Sequence, residues 1–164
     1  MTDYKNVWEK AKADRAAEDA RILAKREELQ ARRVQSQNDA TAWLTDSILP
    51  ELKAAKEALA GQLVVEFGEI IRHEVHNSVY TSVTFSLNAQ RPAYSSPNFM
   101  IEVGGPLGDG RLVTVQEKRK GGPDIDTGIR GTIGEQTGRH FVEFLKQQIT
   151  KAASRKSSEP TIDV

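Results

Sequence analysis

No cysteine occurs in this sequence, which excludes a disulfide, a thiolate metal site and a cysteine nucleophile. Long apolar runs are missing as well: no stretch approaches the roughly twenty apolar residues that a membrane-spanning helix needs. The start of the sequence also lacks the apolar core of a signal peptide. We therefore expect a cytoplasmic protein without a membrane partner.

Apolar side chains and net charge are also scarce. Hydrophobic residues make up 38% of the 164-residue chain and charged residues 28%, so part of the chain is expected to bury little surface. Lysine plus arginine and aspartate plus glutamate both number 23, and the net charge is zero. Nucleic-acid-binding proteins usually carry a basic excess, because contacts to phosphates supply most of their non-specific affinity. The composition therefore does not favour nucleic acid as a partner, although it leaves room for a local basic patch.

Glycine and proline are absent from residues 3–36, which are dense in alanine, lysine, arginine and glutamate. These residues are strong helix formers, so we predict a charged helical arm over residues 1–38. The arm has two interpretations. It is either a solvated helix that frays, or a helix whose weak apolar stripe is completed by a partner.

The few apolar residues of the arm indicate where a partner would bind. A heptad repeat runs through Trp8, Ile22 and Leu29, but it also includes Arg15. The companion positions of this heptad are mostly charged: Ala11, Glu18, Lys25 and Arg32. Such a seam is too polar for a strong coiled coil. A large aromatic residue on a nearly bare helix more often anchors a contact, so Trp8, Ile22 and Leu29 are the candidate partner-binding residues.

A second helical segment follows a predicted break at residues 36–39, where Asn38 or Asp39 can cap a new helix. Its apolar residues step by four, four, three and four positions, as one face of a helix requires: Leu44, Ile48, Leu52, Ala55 and Leu59. Pro50 is expected either to kink this helix or to mark a fresh first turn.

Residues 62–76 fit two patterns. As a strand, their apolar residues alternate on one face, but Glu69 and His73 interrupt the alternation. As a helix, the apolar residues form one stripe that continues the preceding helix, and only Val65 is misplaced. We predict a long helix over about residues 39–76 and keep the strand as the alternative.

The remainder of the chain predicts a sheet and a final helix. Alternating apolar and polar residues, separated by turn signals, indicate strands at about residues 79–88, 98–104 and 111–119. A short edge strand is expected near residues 125–129. A regular apolar stripe predicts a helix over about residues 132–153, followed by a disordered tail of residues 154–164.

These elements define an α+β fold in which long N-terminal helical segments precede a small antiparallel sheet of three or four strands. The C-terminal amphipathic helix and the end of the second helix are expected to cover the apolar face of the sheet, because one face must be buried. We divide the chain into the arm (1–38), one α+β domain (39–153) and the tail.

One group of residues suggests a metal site. On a helix, Glu69, His73 and His76 would share the face opposite the apolar stripe, and two imidazoles could bind one ion. Their spacing does not match the helical zinc motif, in which two histidines stand four apart with a glutamate between them. A polar outer face near a helix end is the simpler interpretation, and we predict no cofactor.

One basic cluster suggests a phosphate contact. Lys118, Arg119 and Lys120 precede a glycine pair and could bind nucleic acid together with Arg32 and Arg33 of the arm. Acidic neighbours on both sides would weaken the field of this cluster. An exposed hairpin end is the simpler interpretation, since lysines on an edge strand also oppose sheet-to-sheet aggregation.

The function that these patterns favour is that of a non-enzymatic protein–protein interaction or adaptor protein. We expect it to self-associate through its helical half into a homo-oligomer. The first alternative is a nucleic-acid-associated protein that uses the basic cluster and the arm. The second is a metal- or small-ligand-dependent enzyme built around Glu69 and the two nearby histidines.

Overall fold

The computed structural model describes residues 3–76, 78–89, 98–106, 112–119 and 121–157. The helical elements are α1 (Tyr4–Trp43), a π-helical turn (Leu44–Ile48), α2 (Leu49–Ala58) and α3 (Glu135–Ser157). The strands are β1 (Leu63–Phe67), β2 (Ile71–Val75), β3 (Ser78–Ala89), β4 (Asn98–Pro106), β5 (Leu112–Lys118) and β6 (Ile125–Thr132). None of the helices in these residues is both long and apolar enough to cross a membrane.

Helix α1 spans 40 residues without interruption, and its N-terminus is capped. The Asp3 carboxylate accepts a hydrogen bond from the backbone N–H of Asn6 at 3.2 Å, which satisfies one of the free donors of the first turn. Alanine, lysine, arginine and glutamate fill the following turns, in agreement with their helix propensities. The helix predicted for the arm is therefore present.

The predicted break at residues 36–39 is wrong. The side-chain amide of Gln35 donates to Asp39 Oδ1 at 2.7 Å, one helical turn away. The Thr41 hydroxyl donates to the backbone carbonyl of Gln37 at 2.7 Å. Polar side chains that could have capped a new helix thus bond along the existing one, because the following residues already pack against the sheet.

Pro50 marks a fresh first turn, which is one of the two outcomes predicted for it. Proline cannot donate a backbone hydrogen bond, and its ring crowds the carbonyl four residues earlier. The chain adopts the π-helical turn before the proline, and α2 then begins at Leu49 with Pro50 in its first turn. Leu44 and Ile48, at the two ends of the π-helical turn, are both fully buried.

The predicted helix over residues 39–76 is wrong beyond Ala58, where α2 ends. Gly61 lies in the turn that follows, with a φ of 84° that favours glycine. The next residues form β1 and β2, so the strand alternative for this stretch is the observed one. Its β-branched residues gain backbone hydrogen bonds and packing from β3. The spacing of apolar residues within the stretch does not reveal these contacts.

A β-bulge between β1 and β2 explains why the alternation in this stretch is interrupted. Both strands pair with β3: Phe67 lies opposite Phe85, and Ile71 lies opposite Ser82. Three residues of the edge therefore face two residues of β3, so the edge contains one extra residue. Because one extra residue moves every following side chain to the opposite face of the sheet, the odd-numbered side chains point to the core in β1 and away from it in β2.

The sheet is antiparallel and has six strands rather than the predicted three or four. Its order is β1–β3–β4–β5–β6, and β2 continues the β1 edge along β3. The predicted strands correspond to β3, β4 and β5, and the predicted edge strand corresponds to β6. The two additional strands are β1 and β2, which the helical interpretation had hidden. The α+β class is confirmed.

One hydrophobic core lies between one face of the sheet and the helices. Phenylalanine rings form its centre: Phe85 stacks on Phe99 with 5.3 Å between ring centroids, and Phe141 meets Phe85 edge-on at 5.6 Å. Phe144 meets Phe99 edge-on at 5.3 Å. Two of these rings come from α3 and two from the sheet, so the C-terminal helix covers the apolar face as expected.

The second cover of the core is the stretch that contains the end of α1, the π-helical turn and α2. Its buried residues follow a helical stripe: Ala40, Trp43, Leu44, Ile48 and Leu52. The indole N–H of Trp43 donates to the backbone carbonyl of Gly134 at 3.1 Å. This hydrogen bond joins the long helix to the turn before α3.

The opposite face of the sheet is mainly polar at its centre, with Met100 among the polar side chains and exposed apolar residues such as Ile71 and Val75 at its edge, and no helix of the described chain covers it. Strand register places hydroxyl, amide and carboxylate side chains of three neighbouring strands on this face: Tyr80, Ser82, Thr84, Ser86, Asn98, Glu102, Thr114 and Gln116. His73 of β2 stacks on Tyr80 with 5.3 Å between ring centroids. We call this surface the open face.

Helix α3 begins and ends later than the prediction of residues 132–153. The first residues of the predicted disordered tail are helical, and the Ser154 hydroxyl donates to the Thr150 carbonyl at 3.1 Å. The rest of the predicted tail, residues 158–164, lies outside the described residues, as does Lys120 of the predicted basic cluster.

Gly104 of β4 generates a stability prediction. A Cβ at this position would overlap the carbonyl oxygen of Val79 and would lie 2.9 Å from the Cα of Tyr80, and both are backbone atoms that cannot move aside. We expect Gly104→Ala to lower the free energy of unfolding by roughly 1–3 kcal/mol, as overpacking of a core does. The measurement is urea unfolding followed by circular dichroism.

The matched control is Gly122→Ala, because an added Cβ at Gly122 meets no atom within 4 Å. This variant should unfold at nearly the wild-type urea concentration. Equal unfolding midpoints for the two variants would contradict the close approach of β3 and β4 at Gly104.

Candidate functional site

Residues 3–32 of α1 extend beyond the core, and every one of them is exposed. We call them the projecting segment. At about 1.5 Å per residue, its length is roughly 45 Å. The candidate partner-binding residues lie open to water, with exposed fractions of 66% for Trp8, 43% for Ile22 and 42% for Leu29. A single exposed apolar residue is ordinary, but a row of them along one helix is typical of a contact surface.

Most of the large exposed apolar residues of the projecting segment share one face of α1, together with Ala11. At about 100° per residue, they fall within an arc of about 100°: Tyr4, Val7, Trp8, Ala11, Ile22 and Leu29. We call this row the arm stripe. The same arc contains Ala40, Trp43 and Leu44, which are buried against the sheet. The face of α1 that packs in the core is therefore the face that is apolar and uncovered further along.

The phase of the arm stripe was missed at the level of sequence. The heptad reading identified Trp8, Ile22 and Leu29 correctly as one row, but the expected break at residues 36–39 separated that row from the core residues. Counting 3.6 residues per turn through an unbroken helix would have joined them, and it would have added Tyr4 to the row.

Charged residues interrupt the arm stripe in its middle. Arg15, Glu18, Lys25 and Arg26 lie in the same arc as the apolar residues. Glu18 pairs with Arg21 of the same helix. Such exposed pairs three or four residues apart contribute only about 0.2–0.5 kcal/mol to the helix. The stripe is thus apolar at its N-terminal end, and charged residues separate its apolar residues from Arg15 onward.

The junction between the projecting segment and the core lies at Arg33, the first residue of α1 that is partly buried. Its guanidinium Nη1 lies 3.8 Å from Glu74 Oε2 on β2. One strand position away, Arg72 Nε donates to Thr41 Oγ1 at 3.0 Å. These contacts fix α1 along the β2 edge. Arg33 therefore has an acidic neighbour within the chain rather than an open position for an external phosphate.

The predicted basic cluster lies at the end of β5. Lys118 Nζ donates to Asp124 Oδ2 at 2.7 Å across the connection to β6, and Arg119 is exposed. Arg32, which the nucleic-acid alternative also invokes, pairs with Glu28 at 2.7 Å. Two of the arginine and lysine side chains proposed for phosphate contacts are thus already bonded to carboxylates of the same chain.

The carboxylates of the β5–β6 hairpin are held in their charged form. A hydrogen bond from Lys118 lowers the pKa of Asp124 below its ordinary value of 3.8. Hydrogen bonds from Arg130, and then from the Gly128 backbone N–H, lower the pKa of Asp126 in the same way. The hydrogen bond between Arg130 and Asp126 also raises the pKa of Arg130. These contacts pair each of the two carboxylates with a cationic side chain, so their charges are largely compensated within the hairpin.

The predicted metal ligands occupy three different local structures. Glu69 lies in the bulge between β1 and β2, and His73 lies within β2. His76 lies in the turn before β3 with a φ of 53°, in the left-handed region. A strand advances about 3.3 Å per residue, so the helical face on which the metal prediction rested is not formed. Among the described residues, no group of three or more histidine, aspartate and glutamate side chains is arranged to hold a metal ion.

The open face contains a recess of about 470 Å³. Glu66, Ser86, Asn98 and Lys118 line it as one row across four strands. With about 4.8 Å between strands, the backbones of Glu66 and Lys118 at the two ends of the row lie roughly 14 Å apart. The Lys118 ammonium donates to Asp124 and not to a carboxylate among the described residues of the recess.

The Lys118–Asp124 contact generates a prediction about pH. Lys118→Ala removes the hydrogen bond that lowers the pKa of Asp124, so that pKa should rise toward 3.8. The lowered pKa means that the contact stabilises the fold above the ordinary pKa and is lost as the pH falls through the folded value. An NMR titration of the carboxyl groups measures this, and the pKa of Asp126, which depends on Arg130, serves as the internal control. A pKa of Asp124 that does not change in the variant would contradict the contact.

The geometry thus identifies one extended candidate surface, the arm stripe, and two polar surfaces, the hairpin end and the open face. Comparison of this chain with profiles of known protein families, with curated protein sequences and with solved structures found no match.

Proposed function

We propose that this protein is a non-enzymatic interaction or adaptor protein that self-associates through its projecting segment. The observation that carries the proposal is the phase of α1. Its buried residues Ala40 and Trp43 lie on the same helix face as the exposed Trp8 and Leu29. Among the described residues, this face of α1 is covered only at its C-terminal end, and along the projecting segment it combines apolar with charged side chains.

Covering the arm stripe would be favourable. Burial of apolar surface contributes roughly 25 cal/mol per Å², and an aromatic side chain such as Trp8 offers the largest area. A helix that stands alone in water is marginally stable, and most helical stability in proteins comes from packing of an amphipathic face. A partner helix would supply that packing along the projecting segment.

The α+β part has a different role in this proposal. Its core is complete within one chain, and it holds the end of α1 through Ala40, Trp43 and the Arg33–Glu74 contact. It therefore fixes the direction of the arm stripe. A cytoplasmic location and a protein partner, beside a second copy, belong to the same proposal.

The two leucines of the projecting segment test whether the arm stripe mediates self-association. Leu29 lies on the stripe, whereas Leu23, with an exposed fraction of 57%, lies outside it. We expect Leu29→Ala to weaken self-association about tenfold, which corresponds to roughly 1.4 kcal/mol. Leu23→Ala is the matched control and should leave the affinity nearly unchanged. Sedimentation velocity over a range of concentrations measures both, and equal effects of the two substitutions would argue against the stripe.

Removal of residues 1–30 tests the division of labour along α1. None of the described residues that this deletion removes is buried, and Arg33 and the core residues of α1 are retained. We expect the shortened chain to melt cooperatively within about 4 °C of the full chain and to be monomeric. The measurements are thermal circular dichroism and light scattering after size exclusion. A shortened chain that is unfolded would show that the projecting segment belongs to the core.

A further inference from the structure

We infer that two copies of α1 pair antiparallel through their arm stripes in one register, with the two-fold axis between Ala16 and Ala17. The inference rests on the proposed self-association and specifies its geometry. A two-fold axis of this kind gives an isologous contact, in which the same residues of both copies form the interface.

The heptad positions of α1 meet in layers when the helices are aligned in this way. From the end of the projecting segment toward the axis, the layers are Tyr4 with the partner's Leu29, Trp8 with the partner's Lys25, Ala11 with the partner's Ile22, and Arg15 with the partner's Glu18. Two-fold symmetry repeats each layer on the other side of the axis. No layer places two like charges opposite each other.

The central layer of this register pairs Arg15 with the partner's Glu18. Arg15 and Glu18 are charged residues of the seam, and they are exposed in the single chain. In the antiparallel register each Arg15 faces the partner's Glu18, so both charges of the seam are compensated. The Glu18 carboxylate also keeps its contact with Arg21 of its own helix. A polar pair inside a helical seam lowers stability but specifies register, which is the best attested role of such pairs.

The outer layers combine large and small side chains. Ala11 offers room for the partner's Ile22, and Tyr4 packs against the partner's Leu29 near the end of the pair. Trp8 faces the partner's Lys25, whose ammonium can lie over the indole ring while its aliphatic stem covers the ring edge. Lys25 therefore has a favourable contact although it stands in the stripe.

Charges beside the seam agree with the same register. Lys12 flanks the partner's Asp19, and Asp14 flanks the partner's Arg21. The like-charged contact of this register is that of Lys5 with the partner's Arg26. It lies at the rim, where salt screens exposed charges over about 8–10 Å.

Other alignments are worse. A parallel pair would place Arg15 opposite the partner's Arg15 and Glu18 opposite the partner's Glu18. An antiparallel pair shifted by one heptad in one direction would place Arg15 against the partner's Lys25. A shift in the other direction would oppose Trp8 to the partner's Glu18 and would leave Leu29 beyond the partner's end. Charge complementarity therefore selects the proposed register.

Charge reversal in the full-length chain tests the register. Arg15→Glu places a carboxylate opposite the partner's Glu18, and Glu18→Arg places a guanidinium opposite the partner's Arg15. We expect each single variant to dissociate at about a tenfold higher concentration or more, because like charges in a seam are strongly unfavourable. The double variant Arg15→Glu/Glu18→Arg restores opposite charges and should recover an affinity within about threefold of the wild type.

The matched control is Glu27→Arg, which reverses a charge on the far side of the helix and should leave the affinity unchanged. Sedimentation velocity measures the dissociation constant, and circular dichroism verifies that helix content is equal in all variants. A monomeric wild-type chain at about 100 μM would overturn both this inference and the proposed function. A wild-type dimer whose double variant is not rescued would overturn the register alone.

Disulfide cross-linking gives an independent readout, because the sequence has no cysteine of its own. Ala11→Cys and Ile22→Cys chains, mixed in equal amounts and oxidised, should form a disulfide between the two variants, since these positions face each other across the axis. Each variant oxidised alone should form little dimer. Replacing Ile22→Cys by Leu23→Cys, one residue along and off the stripe, should abolish the cross-link. A strong cross-link of the Ala11→Cys chain to itself would show a parallel pair and overturn the inference.

Discussion

The packing of one helical face on one sheet face is the constraint on which the rest of this structure depends. Ala40, Trp43 and Leu44 lie at the point where α1 meets the sheet, and the Trp43 indole bonds the turn before α3. This contact fixes the rotation of α1 about its axis. Because a helix is stiff over its length, the same contact fixes the direction of every side chain in the projecting segment. The arm stripe is a consequence of how the core holds α1.

The β1–β2 edge shows how a single residue can redistribute the surfaces of a sheet. The bulge around Gly68 lets the edge pack Val65 and Phe67 into the core and then turn His73 onto the open face. The side chains of β2 on the helix side meet α1 instead of the apolar core, as the 3.0 Å contact between Arg72 and Thr41 shows. One extra residue thus serves both the core and the attachment of the long helix.

The two parts of α1 use different physical interactions. The C-terminal part is held by apolar burial, which is strong and tolerant of register because it depends on area. The projecting segment carries fewer apolar residues, and charged residues lie between them. In a seam of that kind affinity is modest, while orientation and register are set by which charges meet. Under the proposed self-association, a surface with these properties would suit reversible association better than permanent burial.

Much of the fold follows from local patterns alone. The alternation in β3, β4 and β5 and the stripe of α3 are local, and the sequence by itself determined them. Pro50 left a kink and a fresh first turn open, and the folded chain has it in the first turn of α2. Tertiary structure decided the rest. Residues 63–75 contain both a helical stripe and strand-forming residues. Pairing with β3 decides for the strand: β3 begins at Ser78, directly after β2, and its far end returns to pair with β1. Likewise, Trp8, Ile22 and Leu29 are recognisable as a row from their spacing. That the row lies in phase with the core was decided by the unbroken helix at residues 36–39, because packing of the following turn outweighed the capping side chains there.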